Sequence, residues 1–269
     1  PKTTSASFSA AAMFAFAATQ FRKVDHVAAQ NYAITLRNAA INAYNWAVAN
    51  PGVVFYNSGI LAAGEQEIDA YETGMRRLCA AIFLYELTGD INYKNHVETQ
   101  YTQSHLKQWN FVYPFENPTQ LTLLYYAHLH GVTPSVATDL KNTYKNSIEN
   151  ASDNLPAHVN QLDAYRSYLS TGNHVWGSNR VKTNMGNLFA AYQDFGLNPV
   201  NNQIIDGITQ DYLGYMHGRN PVGLCFLTNM EHAGASKSIN SVYHAWFTDG
   251  SSLWDDARTS TFGPAPGFV

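Results

Sequence analysis

Residues that could carry chemistry are concentrated in the C-terminal stretch of the chain, residues 218–269. Asp249, Asp255 and Asp256 lie there, and Glu231 precedes the first histidine of the stretch. Hydrolysis of a glycosidic bond needs one carboxylic acid that protonates the leaving oxygen and a second carboxylate that activates water or attacks the sugar. A structural role in an Asx turn or a helix cap is the simpler interpretation of any single one of these acids.

The same stretch is rich in glycine, serine and aromatic residues. Flat aromatic rings suit the C–H faces of a sugar, and Asp, Asn, Ser and His side chains suit its hydroxyl groups. A loop of this length is usually functional. We therefore predict that residues 218–269 form a long active-site loop region that binds carbohydrate.

Helices are expected to position this loop. Helical periodicity stops at Asn220-Pro221, because proline keeps the residue before it out of the α region. Upstream, apolar and amphipathic helices alternate, joined by short Gly, Pro or Asp turns, and the first of them is expected to be buried. The predicted helices cover residues 5–21, 25–49, 67–87, 91–105, 117–131, 134–150, 184–195 and 201–217. Almost nothing is typical of a strand and no fixed repeat is found, so we predict one all-α domain over residues 1–269 with paired inner and outer helices.

The composition excludes several classes of protein. Hydrophobic residues make up 45% and charged residues 13%, and the formal net charge is -4 with a pI near 6.2. These values disfavour a disordered chain and a nucleic-acid-binding surface. The Ala- and Phe-rich stretch 10–18 is too short to span a membrane. Cys79 and Cys225 are expected to be free thiols, mostly buried, and no zinc-ligand spacing is present.

Several segments resemble one known family along the whole chain. They are KTTSASFSAAAMFAFAATQF, YNWAVANP, TGD at residues 88–90, GNHVWGSNR at residues 172–180, GRNP, LTNM, GASKSINSVYHAWFTDGSSLWD and GPAPGFV. In this order they resemble glycoside hydrolase family 9, the cellulases once called family E. The resemblance implies an (α/α)6 barrel, of which this chain would hold only the later helix pairs as the C-terminal portion of the catalytic domain.

The family resemblance also implies a reaction, the hydrolysis of β-1,4-glucan with inversion. It places the water-activating Asp upstream of this chain and the general acid Glu downstream of it, so no catalytic residue is assigned and the chain is expected to supply the substrate-binding wall. One alternative is an exo-acting member that cleaves glucosamine or short cello-oligomers. Another is a non-catalytic carbohydrate-binding or scaffold fragment.

Two aromatic positions and one arginine carry the expected binding role upstream of the loop. Trp176 matches the family tryptophan that stacks on a sugar, and Arg180 matches the arginine that contacts hydroxyl groups. Their spacing of four residues would place both on one side if the segment is helical. Trp109, in the place of the family's Ser-Trp-Asp segment, either stacks at a more distant subsite, together with Tyr113, or packs in the core.

Within the loop, His244 matches the histidine of the family's His-x-Arg signature, which hydrogen-bonds the sugar beside the scissile bond. Trp246 stands where the signature has arginine, which removes a cationic donor and adds a stacking face. Tyr243 lines the same cleft or packs the loop, as do Trp254 and Phe262.

The resemblance further implies a polysaccharide or oligosaccharide substrate and export from the cell, as a secreted, periplasmic or cell-surface protein, because cellulose is extracellular. No cofactor is required, and a structural calcium ion is compatible with the family. Nucleic acid and membrane partners are not expected. We also expect the chain to be part of a longer, multidomain protein.

Overall fold

The computed structural model describes residues 2–56, 68–175, 177–241 and 251–268. The chain divides into two compact units. The first unit comprises Pro1–Asn110 and Pro118–Thr143, and the second comprises Phe111–Asn117 and Tyr144–Val269. A single domain over residues 1–269 stays a prediction.

The first unit is built from helices. They are α1 (Thr4–Phe21), α2 (Val27–Ala49), α3 (Ala70–Thr88), α4 (Ile91–Gln100), α5 (His105–Trp109), α6 (Asn117–Tyr126) and the first part of α7 (Pro134–Asn150). Helix α1 packs against α2 and α3 through a buried face that includes Phe8, Ala11, Ala15 and Ala18. Its opposite face leaves Met13, Phe14 and Phe16 exposed. The expectation of a first helix packed on most sides is therefore wrong, because Met13 is 68% exposed and Phe16, although it contacts Phe83 of α3, is 44% exposed.

Local capping signals fix most boundaries of these helices. Helix α3 begins with a capping box between Asp69 and Glu72 and ends at Gly89, whose φ of 71° is left-handed. His26, rather than Asp25, caps α2, because its ring nitrogen accepts from the Ala28 N–H at 3.2 Å.

The helix predicted over residues 91–105 is shorter than expected. It ends at Gln100 and is followed by the 3₁₀ turn Tyr101–Gln103 and by α5. Ser104 lies between the 3₁₀ turn and α5 in an extended conformation, and its hydroxyl donates to the Tyr101 carbonyl at 2.7 Å. A serine side chain that bonds nearby backbone in this way competes with helix continuation.

The second unit contains the rest of α7, α8 (Leu155–Val159), α9 (Ser178–Asp194) and α10 (Asn202–Met216), followed by β1 (Cys225–Thr228) and β2 (Ser238–Ile239). The two strands are parallel, with Cys225 opposite Ser238. The core of this unit is aromatic and aliphatic, and its fully buried side chains include Tyr144, Leu188, Phe189, Tyr192 and Ile205. The sequence did not predict α8 or the strand pair, and it started α9 at residue 184 rather than at Ser178.

Helix predominates in the described residues, and α7 runs from Pro134 to Asn150 as predicted. Among those residues, no helix combines the length and the apolar character that crossing a bilayer requires. Cys79 and Cys225 are free thiols as predicted, with Cys225 buried and Cys79 partly so.

Candidate functional site

A stack of three rings ends at Trp109 in the first unit. The Trp109 ring lies on the His105 imidazole with centroids 3.7 Å apart and planes 8° apart. On the other side of His105 lies Tyr71, with centroids 3.9 Å apart and planes 21° apart. Trp109 is 50% exposed. Core packing of this tryptophan is therefore excluded, and its role in stacking on a sugar stays a prediction.

The stack follows from the geometry of α5 and from its attachments. His105 and Trp109 are four residues apart, which places their side chains on one face of the helix. The His105 N–H donates to the Tyr71 hydroxyl at 3.0 Å, which ties the start of α5 to α3. Asn110 then adopts a left-handed φ of 51° and ends the helix directly after the tryptophan.

A buried cation secures α5 from another side. Lys107 lies 2.7 Å from the Asp139 carboxylate and donates to the Thr143 hydroxyl at 2.6 Å. Asp139 also accepts from the Tyr101 hydroxyl at 3.1 Å. Both Asp139 and Thr143 belong to α7, so α5 is held between α3 and α7 and the Trp109 ring is fixed before any ligand arrives.

Arg180 lies in the first turn of α9 and is exposed. The residue before the helix, Gly177, has a φ of 80°, a left-handed conformation that favours glycine. Helix α9 therefore begins at Ser178, and because Trp176 lies outside the described residues, its expected placement on the same side as Arg180 stays a prediction. Arg180 itself keeps an exposed side chain at the start of the helix.

Most of the predicted site residues lie outside the described part of the chain. They are Trp176, Tyr243, His244 and Trp246. Their roles stay predictions. Trp109 belongs to the first unit and Arg180 to the second.

Asp256 has a structural role in the loop. Its carboxylate accepts from the Arg258 N–H at 2.8 Å, the Thr259 N–H at 3.1 Å and the Ser241 hydroxyl at 2.9 Å. The hydrogen bond from the Arg258 backbone, followed by that from Ser241, lowers the pKa of this carboxyl. A general acid needs a raised pKa instead. The hydrogen bonds from the Arg258 and Thr259 N–H groups form an Asx turn, which supports a structural role for Asp256.

The other acids of the loop have different surroundings, and any catalytic role of Asp255, which is described, stays a prediction. Glu231 forms an exposed ion pair with Arg258 at 3.2 Å. Asp249 lies outside the described residues. Among the described residues, no cluster of His, Cys, Asp or Glu side chains has the arrangement of a metal site.

The last residues of the chain return to β1. The Thr228 N–H donates to the Phe268 carbonyl at 2.9 Å, and the Thr228 hydroxyl donates to the Ala265 carbonyl at 2.6 Å. Asn229 donates from its side chain to the Pro264 carbonyl at 3.0 Å. Residues 264–268 are therefore attached to the strand as an extra layer.

Trp254 and Phe262 stack on each other beside this layer. Their ring centroids are 4.7 Å apart and their planes 26° apart. Both rings are exposed on their outer sides, at 46% for Trp254 and 60% for Phe262. The two rings therefore pack on each other, and their expected role in lining a substrate cleft stays a prediction.

Gly263 is the position at which this segment tolerates no side chain. Its φ is +68°, and an added Cβ would lie 2.8 Å from the Ala257 Cα. We expect Gly263→Ala to lower the free energy of unfolding by about 2 kcal/mol, because an alanine is strained at this φ and its methyl group collides with backbone. Urea denaturation would measure the change. Gly172→Ala is the matched control, since a Cβ at residue 172 meets nothing within 4 Å; equal effects of the two substitutions would contradict the prediction.

Lys182 lies behind the start of α9 and is only 4% exposed. Its ammonium group donates to the Ser167 carbonyl and to the Ser167 hydroxyl, and it sits 4.2 Å from the centroid of the Tyr215 ring. Asp163 accepts from the Ser167 N–H at 2.9 Å. Burial lowers the pKa of Lys182, and Asp163 partly opposes that shift. The lysine therefore joins the segment around Ser167 to α9 and α10, and no sequence signal marked it.

The comparisons with known proteins agree on one family. The sequence matches the family model described as Glycosyl hydrolase family 9 over residues 1–269. A search of curated proteins returns no significant match. Among solved structures, a metagenome-derived glycoside hydrolase family 9 endoglucanase is 20% identical with a TM-score of 0.67, and the match covers 88% of this chain and 40% of that one.

Two further solved structures are similar. The family 9 endoglucanase J30 is 20% identical with a TM-score of 0.63, over 87% of this chain and 39% of that one. The cellulase CEL9M of C. cellulolyticum is 18% identical with a TM-score of 0.53, over 84% of this chain and 47% of that one. These likenesses show a shared fold and confirm the prediction of an all-α chain of the (α/α)6 type. The chain spans about 40% of the length of the first endoglucanases that it matches.

Proposed function

The chain belongs to glycosyl hydrolase family 9, and we infer from this that it takes part in the hydrolysis of β-1,4-glucan. The proposed reaction is cellulase-like, with inversion at the anomeric carbon. The chain contributes a substrate-binding surface, and the two catalytic carboxylates belong to parts of the enzyme outside these residues. The match of the family over residues 1–269 is the observation that carries the proposal.

Trp109 is the described residue best suited to contact the glucan. Half of its indole is exposed, and His105 and Tyr71 support it from below. A ring that is already held in place loses little conformational freedom when a sugar stacks on it. We therefore assign Trp109 to a sugar-stacking subsite, with His105 as its positioning residue.

Arg180 provides hydrogen-bond donors to hydroxyl groups in the same proposal. Its exposed side chain at the start of α9 has five N–H donors in a fixed geometry. Trp176, Tyr243, His244 and Trp246 are proposed to contact the sugar near the scissile bond. The protein is proposed to be secreted, since its substrate is extracellular, and to use no cofactor beyond a structural calcium ion.

Activity assays of the polypeptide encoded by the natural gene would test this function. Release of reducing sugar from soluble β-1,4-glucan and from cello-oligomers would support it, and the products would separate endo action from exo action. Release of single sugar units from chain ends would favour the exo-acting alternative. Binding of cello-oligomers with no hydrolysis would replace the enzyme proposal by the non-catalytic binding alternative.

Trp109→Ala is expected to raise the KM for cello-oligomers about tenfold, because loss of a stacking face removes roughly 1 kcal/mol or slightly more of binding free energy. The value of kcat should change less, because the stacking contact is remote from the bond that breaks. Steady-state kinetics on a series of cello-oligomers measures both.

Three further variants make this test specific. Tyr32→Ala removes another aromatic residue that is 50% exposed, on α2, and is expected to leave KM unchanged. His105→Phe keeps a flat ring beneath the indole and is expected to preserve KM, whereas His105→Ala should raise it. A Trp109→Ala enzyme with the KM of the natural protein would rule out the assigned subsite.

A further inference from the structure

A cavity in the second unit has no role in the function proposed above. It has a volume of about 360 Å³ and lies between α10 and the turn that follows α8. Sites for small molecules in proteins have volumes from about 300 Å³ upward and combine apolar walls with a few polar groups. Here Ile204 and Ile208 form an apolar side, and His158, Gln161, Arg166 and Asp211 supply the polar groups.

The backbone of the turn is strained where it meets the cavity. Gln161 has a φ of 53° and Arg166 a φ of 55°. Within the described ranges, the other non-glycine residues with positive φ are Asn110 and Asn229, and asparagine tolerates this conformation. Glutamine and arginine adopt it at an energetic cost, and such strain concentrates at functional sites. Both strained residues line the cavity.

A glycine on α10 keeps the cavity open. Gly207 lines it in the interior of the helix, where glycine is less favourable than alanine. A Cβ at Gly207 would meet nothing within 4 Å, so packing does not require the glycine. Packing does explain two other glycines of this unit. A Cβ at Gly186 would lie 3.0 Å from the Tyr212 Cβ, and a Cβ at Gly214 would lie 3.1 Å from the Arg219 guanidinium.

The charged side chains at the cavity differ in their ion pairing within the part of the chain that the structure describes. Asp211 forms an ion pair with Arg219. Arg166 forms no ion pair with any residue that the structure describes. The His158 ring is engaged inward, 3.2 Å from the Tyr212 hydroxyl. The exposed Arg166 guanidinium at the edge of the cavity is suited to a carboxylate, which it can bind through two hydrogen bonds.

We propose that this cavity binds a sugar acid of the hexuronate class. Its carboxylate pairs with Arg166, its hydroxyl groups bond to Gln161 and Asp211, and its C–H face lies on Ile204 and Ile208. The site is independent of the glucan-binding surface and of the catalytic activity, so each proposal stands or fails by its own measurement.

Isothermal titration calorimetry of the natural polypeptide with glucuronate at pH 7 tests the site. We expect one molecule to bind per chain, with glucose and acetate each at least tenfold weaker, because glucose lacks the carboxylate and acetate lacks the hydroxyl groups and the ring. Absence of glucuronate binding would overturn the proposal. Glucose or acetate binding as tightly as glucuronate would overturn it as well, since either result removes the basis for a sugar acid.

Two substitutions locate the binding in the cavity. Arg166→Gln is expected to weaken glucuronate binding about tenfold, which corresponds to the loss of a charge-assisted hydrogen bond. Gly207→Leu fills the cavity and is expected to abolish binding. The matched controls are Arg37→Gln, at an exposed arginine of α2, and Gly74→Leu, at a glycine of α3 whose Cβ also meets nothing within 4 Å; both should bind as the natural chain does.

Thermal unfolding of each variant shows whether it is folded. If Gly207→Leu does not fold, Arg166→Gln alone decides the outcome. A folded Arg166→Gln variant with unchanged affinity would place the glucuronate elsewhere and refute the assignment.

Discussion

Replacing Lys182 with alanine is expected to lower the free energy of unfolding by about 3 kcal/mol. The substitution removes the ammonium group that donates to the buried Ser167 carbonyl and hydroxyl. The same group is the cation above the Tyr215 ring. It also leaves a cavity where the lysine side chain was packed, because the residue is almost fully buried. Urea denaturation followed by circular dichroism would measure the loss.

Lys182→Met separates the packing contribution from the polar one. Methionine restores most of the volume and removes the buried charge, so about half of the loss should be recovered. Lys237→Ala, at an exposed lysine of the same unit, is the surface control and should change stability by less than about 0.5 kcal/mol. A Lys182→Ala variant as stable as this control would show that the buried lysine does not hold the segment around Ser167.

Lowering the pH from 7 to 5 is expected to destabilise the protein, with a contribution on the order of 2 kcal/mol from His158. Burial lowers the pKa of His158 from 6.5 to about 4, while Asp211 and Asp163 oppose that shift. The pKa of His96 is lowered in the same direction, to about 4, by burial and then by Arg77. As the pH falls through 6.5 the unfolded chain binds protons that the folded chain does not, so stability is full above that pH and is lost progressively down to about 4.

The carboxyl groups with lowered pKa values contribute little to the change in stability between pH 7 and pH 5. Asp256 and Glu98 have lowered pKa values, starting from ordinary values of 3.8 and 4.5, so the stability that they contribute is lost mainly at lower pH. His158→Gln keeps a polar side chain that cannot be charged, and it should flatten the dependence between pH 7 and pH 5. Urea denaturation at both pH values measures the difference, and equal pH dependence in the variant and the natural chain would contradict the prediction.

The helix boundaries that the sequence predicted well are those that local chemistry sets. Gly89 ends α3 because glycine accepts a left-handed φ, and Pro134 begins α7 because its fixed φ suits the first turn. The break at Ser104 was missed because its cause is a single side-chain hydrogen bond. The parallel strands were missed because each is short, and their pairing joins residues that are distant in sequence.

The candidate site was also predictable only in part, because some of its contacts join residues from different helices. The spacing of His105 and Trp109 is a helical signal that could have predicted their stacking, but α5 was not recognised as a separate helix. Tyr71 completes the stack from another helix, and nothing local connects it to Trp109. The burial of Lys182 likewise depends on tertiary packing, because its sequence neighbours in α9 are mostly polar.

The pairing of Ser241 with Asp256 has a consequence for how this region can diversify. The two residues bridge in antiparallel fashion, and the Ala257 N–H donates to the Asn240 carbonyl at 2.8 Å. These hydrogen bonds bring residues 240–241 and residues 256–257 together. The entropy of closing a loop grows slowly with length, by about 0.6 kcal/mol for each doubling. A change of length between residues 241 and 256 is therefore expected to cost little in closure entropy.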